Sequence, residues 1–308
     1  MLATSSLHCL NARWIILLFN FLFILPMFVH PFPFDIHRLT PDTIKSLVYE
    51  GEALPSDGDL VLILQTYMFR VGRASYAQQI RLWDSSTKRL ADFTTHFSFI
   101  IENNYNSTLS DGIVFFLAPI GYSIPLNSVG GQTVLVEFDT FNNKEWDPPG
   151  PGQGQHVGIN NGSLTSVAHA FWDADSTTGK KTNAWINYNA TTKNLSVFWT
   201  YDKDTLYMGQ ANLSYNIDLM DVLPERVMIG FSASTGEMYQ RYSINSWQFN
   251  SSLDSTEASQ RWRRKIIPVV RSCWRICRFL SFFHVYWGNQ LFCCQKKQKC
   301  IRQRQPWQ

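Results

Sequence analysis

Cysteine is missing from the whole middle of this 308-residue chain: Cys9 lies near the start, and Cys273, Cys277, Cys293, Cys294 and Cys300 lie near the end. The region between must hold its fold by burial and hydrogen bonding, without disulfides. Charge is scarce too, at 17% of residues, and it is unevenly spread. Residues 1–250 carry 15 Lys/Arg against 22 Asp/Glu, a net of −7, whereas residues 251–308 carry 12 against 2, a net of +10. The acidic body lacks the basic surface that nucleic acid requires, so no nucleic-acid partner is expected. Apolar residues at helical spacing are rare, and no repeat of solenoid length is present. The glycine-rich stretch GPGQGQHVG, Gly150 to Gly158, has no βαβ pattern around it and reads as a loop rather than a phosphate cradle. Protein-kinase catalytic-loop and metal-binding signatures do not occur.

A hydrophobic content of 45% is enough to bury a sizeable core. Arg13 precedes an apolar run, Trp14 to Val29, with the charge and length of a secretory signal, short for a spanning helix. Residues 1–31 are read as a signal peptide, or as a short uncleaved anchor because no small-residue cleavage site lies near Val29 to Phe34. Sequons at Asn106, Asn161, Asn189, Asn194, Asn212 and Asn250 fit a secreted, glycosylated, extracellular protein, with association to the plasma membrane as the variant of that reading.

From Pro33 to Asn250, short alternating or β-branched runs are separated by turn residues, which predicts an all-β, antiparallel β-sandwich. Strands are expected at Leu60–Leu64, Asp92–Ile101, Gly112–Leu117, Thr133–Phe138, Ala184–Tyr188, Leu195–Tyr201, Val227–Ser232 and Tyr242–Phe249. INYN–ATTKN–LSVFW reads as a hairpin, with Asn189 and Lys193-Asn194 in the turn.

The stretch VEFDTFNNKEWDPP, Val136 to Pro149, gathers carboxylates where charge is otherwise sparse. In a strand Glu137, Asp139 and Phe141 face one side, with the two acidic Cα atoms about 6.6–6.8 Å apart. That spacing suits a glycosidase acid pair, but the third position is Phe141. Asn143, Asp147 and His156 add an amide, a carboxylate and an imidazole, which suits a metal site instead. Ca²⁺ takes carboxylate, amide and carbonyl oxygens, and an imidazole among carboxylates suits Mn²⁺ or a similar transition ion. Solvated strand-end acids are the plain structural alternative. A second calcium candidate, DADSTTGKKT from Asp173, lacks the glycine and closing glutamate of an EF-hand loop.

VEFDTFNNKEWDPP followed by HVGINNGSL, DGIVFFLAP (Asp111 to Pro119), GFSASTG (Gly230 to Gly236) and SWQF (Ser246 to Phe249) resemble the signature segments of the legume (L-type) lectin domain. Val71 to Ile101 is similar to the ectodomains of plant L-type lectin receptor-like kinases. The resemblance covers residues 32–250 and implies a legume-lectin jelly roll that binds glycans and is not an enzyme. It further implies that Glu137 and His156 hold the transition ion, that Asp139 and Asp147 bridge to calcium, and that Phe141 and Asn143 give calcium a carbonyl and an amide oxygen. For sugar it implies Asp111 as acceptor, presented through a cis Ser110–Asp111 peptide, Asn143 as donor, Phe141 as stacking ring and Gly131 as a backbone donor. Glu237 to Gln240 would then form the variable loop that tunes specificity, and homo-oligomers are compatible with the resemblance.

Two departures carry expectations of their own. An LGLF-type strand that the family has after its glycine-rich loop is missing between Gly131 and Thr133, which predicts exposed strand edges and marginal stability. Beyond residue 250 no kinase follows; Ile266 to Trp287 is apolar but carries Arg271, Arg275 and Arg278 on one helical face. That tail reads as a basic helix touching a membrane surface or as an unstructured remnant. A sandwich glycosidase and a sugar-inactive remnant of a lectin receptor kinase therefore stand beside the glycan-binding reading.

Overall fold

In the computed structural model, the described residues are 34–64, 68–103, 109–122, 131–149, 154–202 and 210–253. The apolar leader, the basic tail and the Asn106 sequon lie outside them. Eighteen strands run in chain order: β1 Phe34–Ile36, β2 Leu47–Gly51, β3 Leu54–Ser56, β4 Asp59–Ile63, β5 Arg70–Tyr76, β6 Ile80–Arg81, β7 Trp83–Asp84, β8 Arg89–Leu90, β9 Phe93–Glu102, β10 Gly112–Pro119, β11 Val134–Asp139, β12 His156–Asn161, β13 Ala168–Phe171, β14 Thr182–Asn189, β15 Asn194–Thr200, β16 Leu213–Asn216, β17 Arg226–Thr235 and β18 Arg241–Ser251. The α-helices among the described residues are two four-residue turns, Pro41–Ile44 and Leu219–Val222.

One sheet has the order β16-β15-β14-β9-β18-β4-β3 with β1 beside β18; the other has β13-β12-β11-β10-β17-β5-β2 with β6 beside β17. Every pairing is antiparallel, as alternation of buried and exposed residues predicts. Rings from both sheets meet between them: Phe97 lies 4.8 Å from Phe231 and Phe99 lies 4.9 Å from Phe138. The β14–β15 hairpin closes with Asn189 opposite Asn194. The Asn189 side chain accepts from the amides of Thr191 and Thr192, while Lys193 takes a left-handed φ of 54°. Asparagine in the turn therefore does what its side-chain chemistry suggests.

All eight expected strands are present, each end within three residues of its expected position. Three expectations are corrected. First, the glycine-rich loop stops short of His156, which opens strand β12; glycine at 158 hides the inward pair Val157 and Ile159 from a pattern search. Second, the shortened connection leaves no open edge at β11. Leu117 of β10 pairs with Val134, and Val134 pairs with Asn161 of β12, so the sheet is continuous across it. Third, no peptide among the described residues is cis. At Ser110–Asp111 the trans form is the favoured one, and the backbone turn falls on Gly112, φ 113°, where a Cβ would meet the Phe138 carbonyl oxygen at 2.4 Å.

Candidate metal and sugar site

Cross-strand register assembles the site. Gly112 on β10 pairs with Asp139 on β11, which pairs with His156 on β12, so one row across three strands carries residues distant in sequence. Asp139, Asp147 and His156 each offer a ligand atom within 4.8 Å of the others. In the neighbouring row Glu137 pairs with Gly158, where a Cβ would come within 2.6 Å of the Glu137 carboxylate; glycine leaves that carboxylate room to lean over β12. Glu137 then reaches His156 Nε2 at 3.2 Å, while the Ser166 hydroxyl donates to the same Glu137 oxygen. The other imidazole nitrogen lies 2.8 Å from the Gly154 carbonyl, which fixes the ring.

Electrostatics point the same way. Among the described residues, no Lys or Arg is ion-paired with Asp111, Glu137, Asp139 or Asp147. Burial pushes the Asp139 carboxyl well above its ordinary range, and the charges of Glu137 and Asp147 push it further. Burial also raises Asp147, against the hydrogen bond from the Asn143 amide. For His156, burial works against the cation, but the hydrogen bond and charge of Glu137 outweigh it and hold the imidazolium to higher pH. A buried anionic cluster without a cation is costly, so this donor set of carboxylates and one imidazole fits a divalent metal.

Beside the cluster a cleft of about 540 Å³ is lined by Asp111, Glu137, Asp139, Asn143, Trp146 and Gly236, among others. Asp111 accepts from the Ser234 hydroxyl at 2.9 Å, and burial raises its pKa against that bond. Phe141 is 37% exposed and its amide donates to Asp139 at 2.7 Å, but it is not among the residues that line the cleft. Glu237 is exposed, next to Gly236 of the cleft wall. Gly131 stands apart from this group. It precedes β11 at the Val134 end, whereas Asp139 closes the other end of that strand, about 17 Å from Val134 at strand spacing. With no segment between Gly131 and Thr133 to carry it back, the Gly131 amide does not reach the cleft beside Asp111.

Sequence reasoning missed the support under Asp111. Gln240, assigned above to the variable loop, is wholly buried. Its Oε1 accepts from the Ser110 amide at 2.8 Å and from the Tyr242 hydroxyl at 2.6 Å, while that hydroxyl accepts from the Gly112 amide at 3.0 Å. Both amides flanking Asp111 are thus clamped from β18 and its lead-in. The signal was the alternation of exposed Tyr239 with buried Gln240 and Tyr242, which marks a strand entering the core.

Comparison with known proteins bears on the family and the fold. Residues 32–265 match the legume lectin domain model. The chain is 40% identical over 256 residues to L-type lectin-domain containing receptor kinase IX.1 of Arabidopsis thaliana, covering 78% of this chain and 39% of that one. It is 39% identical over 252 residues to Agglutinin-2 of Cladrastis kentukea, covering 74% and 83%. The crystal structure of lectin I from Ulex europaeus, in complex with the methyl glycoside of α-L-fucose, superposes with a TM-score of 0.63 at 28% identity, covering 72% and 98%. The chain spans about two fifths of the length of the receptor kinase and most of the length of the lectins. Through a match that covers most of its length, this chain belongs to the legume lectin family.

Proposed function

We propose that residues 32–250 form a metal-dependent glycan-binding module of an extracellular glycoprotein. The observation that supports this most is the row Gly112–Asp139–His156, which sets a cation-seeking cluster directly beside Asp111. Ca²⁺ is assigned to Asp139, Asp147, the Asn143 side chain and the Phe141 carbonyl; Mn²⁺ or a similar ion is assigned to Glu137, Asp139, Asp147 and His156. When bound, the metals supply the positive charge that the buried carboxylates lack. Asp111 then accepts from sugar hydroxyls, the Asn143 amide donates, and Phe141 gives the sugar's apolar face an aromatic platform. Glu237, exposed and next in sequence to Gly236 of the cleft wall, is assigned to contact a bound glycan. The five described sequon asparagines, Asn161, Asn189, Asn194, Asn212 and Asn250, are all partly or fully exposed, which supports glycosylation and secretion.

The glycosidase alternative is set aside by the family and by the fixed partners of Glu137, whose carboxylate is engaged by His156 and Ser166 rather than open to a glycosidic oxygen. A glycan array of the purified protein, with Asp111→Ala as comparison, tests the reading. Binding by the wild type that is lost in Asp111→Ala is expected; a blank array at full metal loading would favour the sugar-inactive remnant.

A further inference from the structure

Four of the five described sequons share one surface. Asn189 closes β14, Asn194 opens β15, Asn212 leads into β16 and Asn250 lies on β18, all in the sheet that does not carry Asp139. Strand period decides which way they point. In β14 the buried Thr182, Ala184, Ile186 and Tyr188 alternate with Asn183, Trp185, Asn187 and Asn189, so Asn189 faces away from the core. Register carries that outward face across the sheet: Asn250 pairs with Thr94, Thr94 with Asn187, Asn187 with Ser196 and Ser196 with Ser214. These short, uncharged polar side chains form one row over five strands, about 19 Å from end to end. Asn189 and Asn194 stand two residues along from the row on one side, and Asn212 two residues along on the other, so the sequons surround it. Asn161 is different: it ends β12, in the other sheet.

Three of these asparagines make side-chain bonds, and a glycan leaves the bonds in place. Attachment joins the asparagine Nδ2 to the anomeric carbon of the incoming sugar, releases that sugar's pyrophosphate-linked lipid carrier and a proton, and leaves Oδ1 as it was. Asn189 and Asn212 accept through Oδ1, from the Thr191 and Thr192 amides and from the Trp199 amide, while Asn194 spends one of its two Nδ2 hydrogens on Asn216 Oδ1 at 3.0 Å. Asn250 is exposed. One donor in the row is left over: Asn187 Nδ2 is shut off from water and has no hydrogen-bond partner among the described residues. A bond left unmade in that way costs free energy until a ligand supplies the acceptor. Asn187 lies two strands from Asn250, about 10 Å, which is within the reach of two linked pyranose rings.

We propose that the protein's own N-glycans cover the outer face of this sheet, the first two N-acetylglucosamines on Asn250 lying along Thr94 and giving Asn187 its acceptor. This rests on the glycosylated reading above and adds what the glycans do: they form a layer of the fold. Sugar hydroxyls and acetamido groups suit a row of hydroxyl and amide side chains that carries no charge. A face so covered is closed to a second copy of the chain.

The test uses the full chain secreted by plant cells, with glycopeptide mass spectrometry to read occupancy and calorimetry to read the melting temperature. Asn250 is expected to be occupied, and Asn250→Gln to lower the melting temperature by about 2–4 °C, the shift that one net hydrogen bond gives a domain of this size. Asn161→Gln, on the other sheet, sets the baseline, with a change near zero. Asn187→Ala leaves every sequon intact, and in that background Asn250→Gln should cost less than half as much, because the glycan's partner is already gone. Equal losses in the two backgrounds, or an occupied Asn250 whose replacement leaves the melting temperature at the Asn161→Gln baseline, would overturn the covering while leaving glycosylation intact. An unoccupied Asn250 would overturn the covering together with the glycosylated reading at that site. If the glycosylated chain sediments as a dimer that Thr94→Arg returns to a monomer, a second copy holds this face and the proposal falls.

Discussion

On the inward face of β11, Val134, Val136 and Phe138 are wholly buried against the second sheet; on the outward face of the same strand stand Leu135, Glu137 and Asp139. The inward face is finished by folding, since its rings and methyls have all their partners. The outward face is not. Among the described residues, Asp139 is buried among acids with no Lys or Arg ion pair, and the buried Thr133 hydroxyl has no hydrogen-bond partner. Six residues of one strand thus serve two ends, with the period of two assigning stability to one set and ligand chemistry to the other.

Substitution on the two faces should separate these roles. Phe138→Ala removes a ring that contacts Phe97, Phe99 and Trp172, and should cost about 3–5 kcal/mol of stability with or without metal, read by calorimetry. Asp139→Asn should do the reverse. It raises the melting temperature of the metal-free protein, because an uncompensated buried charge is removed, and it abolishes the increment that metal gives. In the wild type that increment should reach about 2.7 kcal/mol at a hundredfold excess over Kd. A metal response that persists in Asp139→Asn would erase the distinction between the faces.

The Gln240 clamp tests whether the outward face depends on positioning as well as charge. Gln240→Leu leaves the buried Ser110 amide without its acceptor, a loss of about 1–3 kcal/mol. Glycan affinity should fall while metal affinity holds, since Gln240 touches none of the proposed metal ligands.

The smallest effect is in pH. Asp111, Asp139 and Asp147 have raised folded pKa values, so their contribution to stability is present at acid pH and is lost as pH rises through those values. His156, also raised, has the same sign: its contribution is full below its unfolded pKa and is lost as pH rises through the folded one. The metal-free protein should therefore lose stability from mildly acid to neutral pH. With metal the trend should reverse, because the ion must displace those protons. Parallel trends with and without metal would argue against a cation at this cluster.

Much of this was legible in the sequence because strand patterning and motif spacing are local. Alternation gave β9, β14 and β18, and VEFDTFNN gave Glu137, Asp139, Phe141 and Asn143 as neighbours. What escaped was set by pairing between distant strands. The role of Gln240 depends on a bond to Ser110, 130 residues away. The separation of Gly131 from Asp139 depends on β11 running its full length between them. The short connection was expected to open a strand edge, but β10 and β12 still flank β11.

The most direct measurement is calorimetric titration of the tightest array glycan into one preparation of the protein: metal-loaded, then chelated, then restored with Ca²⁺ and Mn²⁺. Binding heat that vanishes on chelation and returns with the ions is predicted, because the carboxylates beside Asp111 need a cation before that site can hold a sugar. Binding that is unchanged by chelation would contradict it.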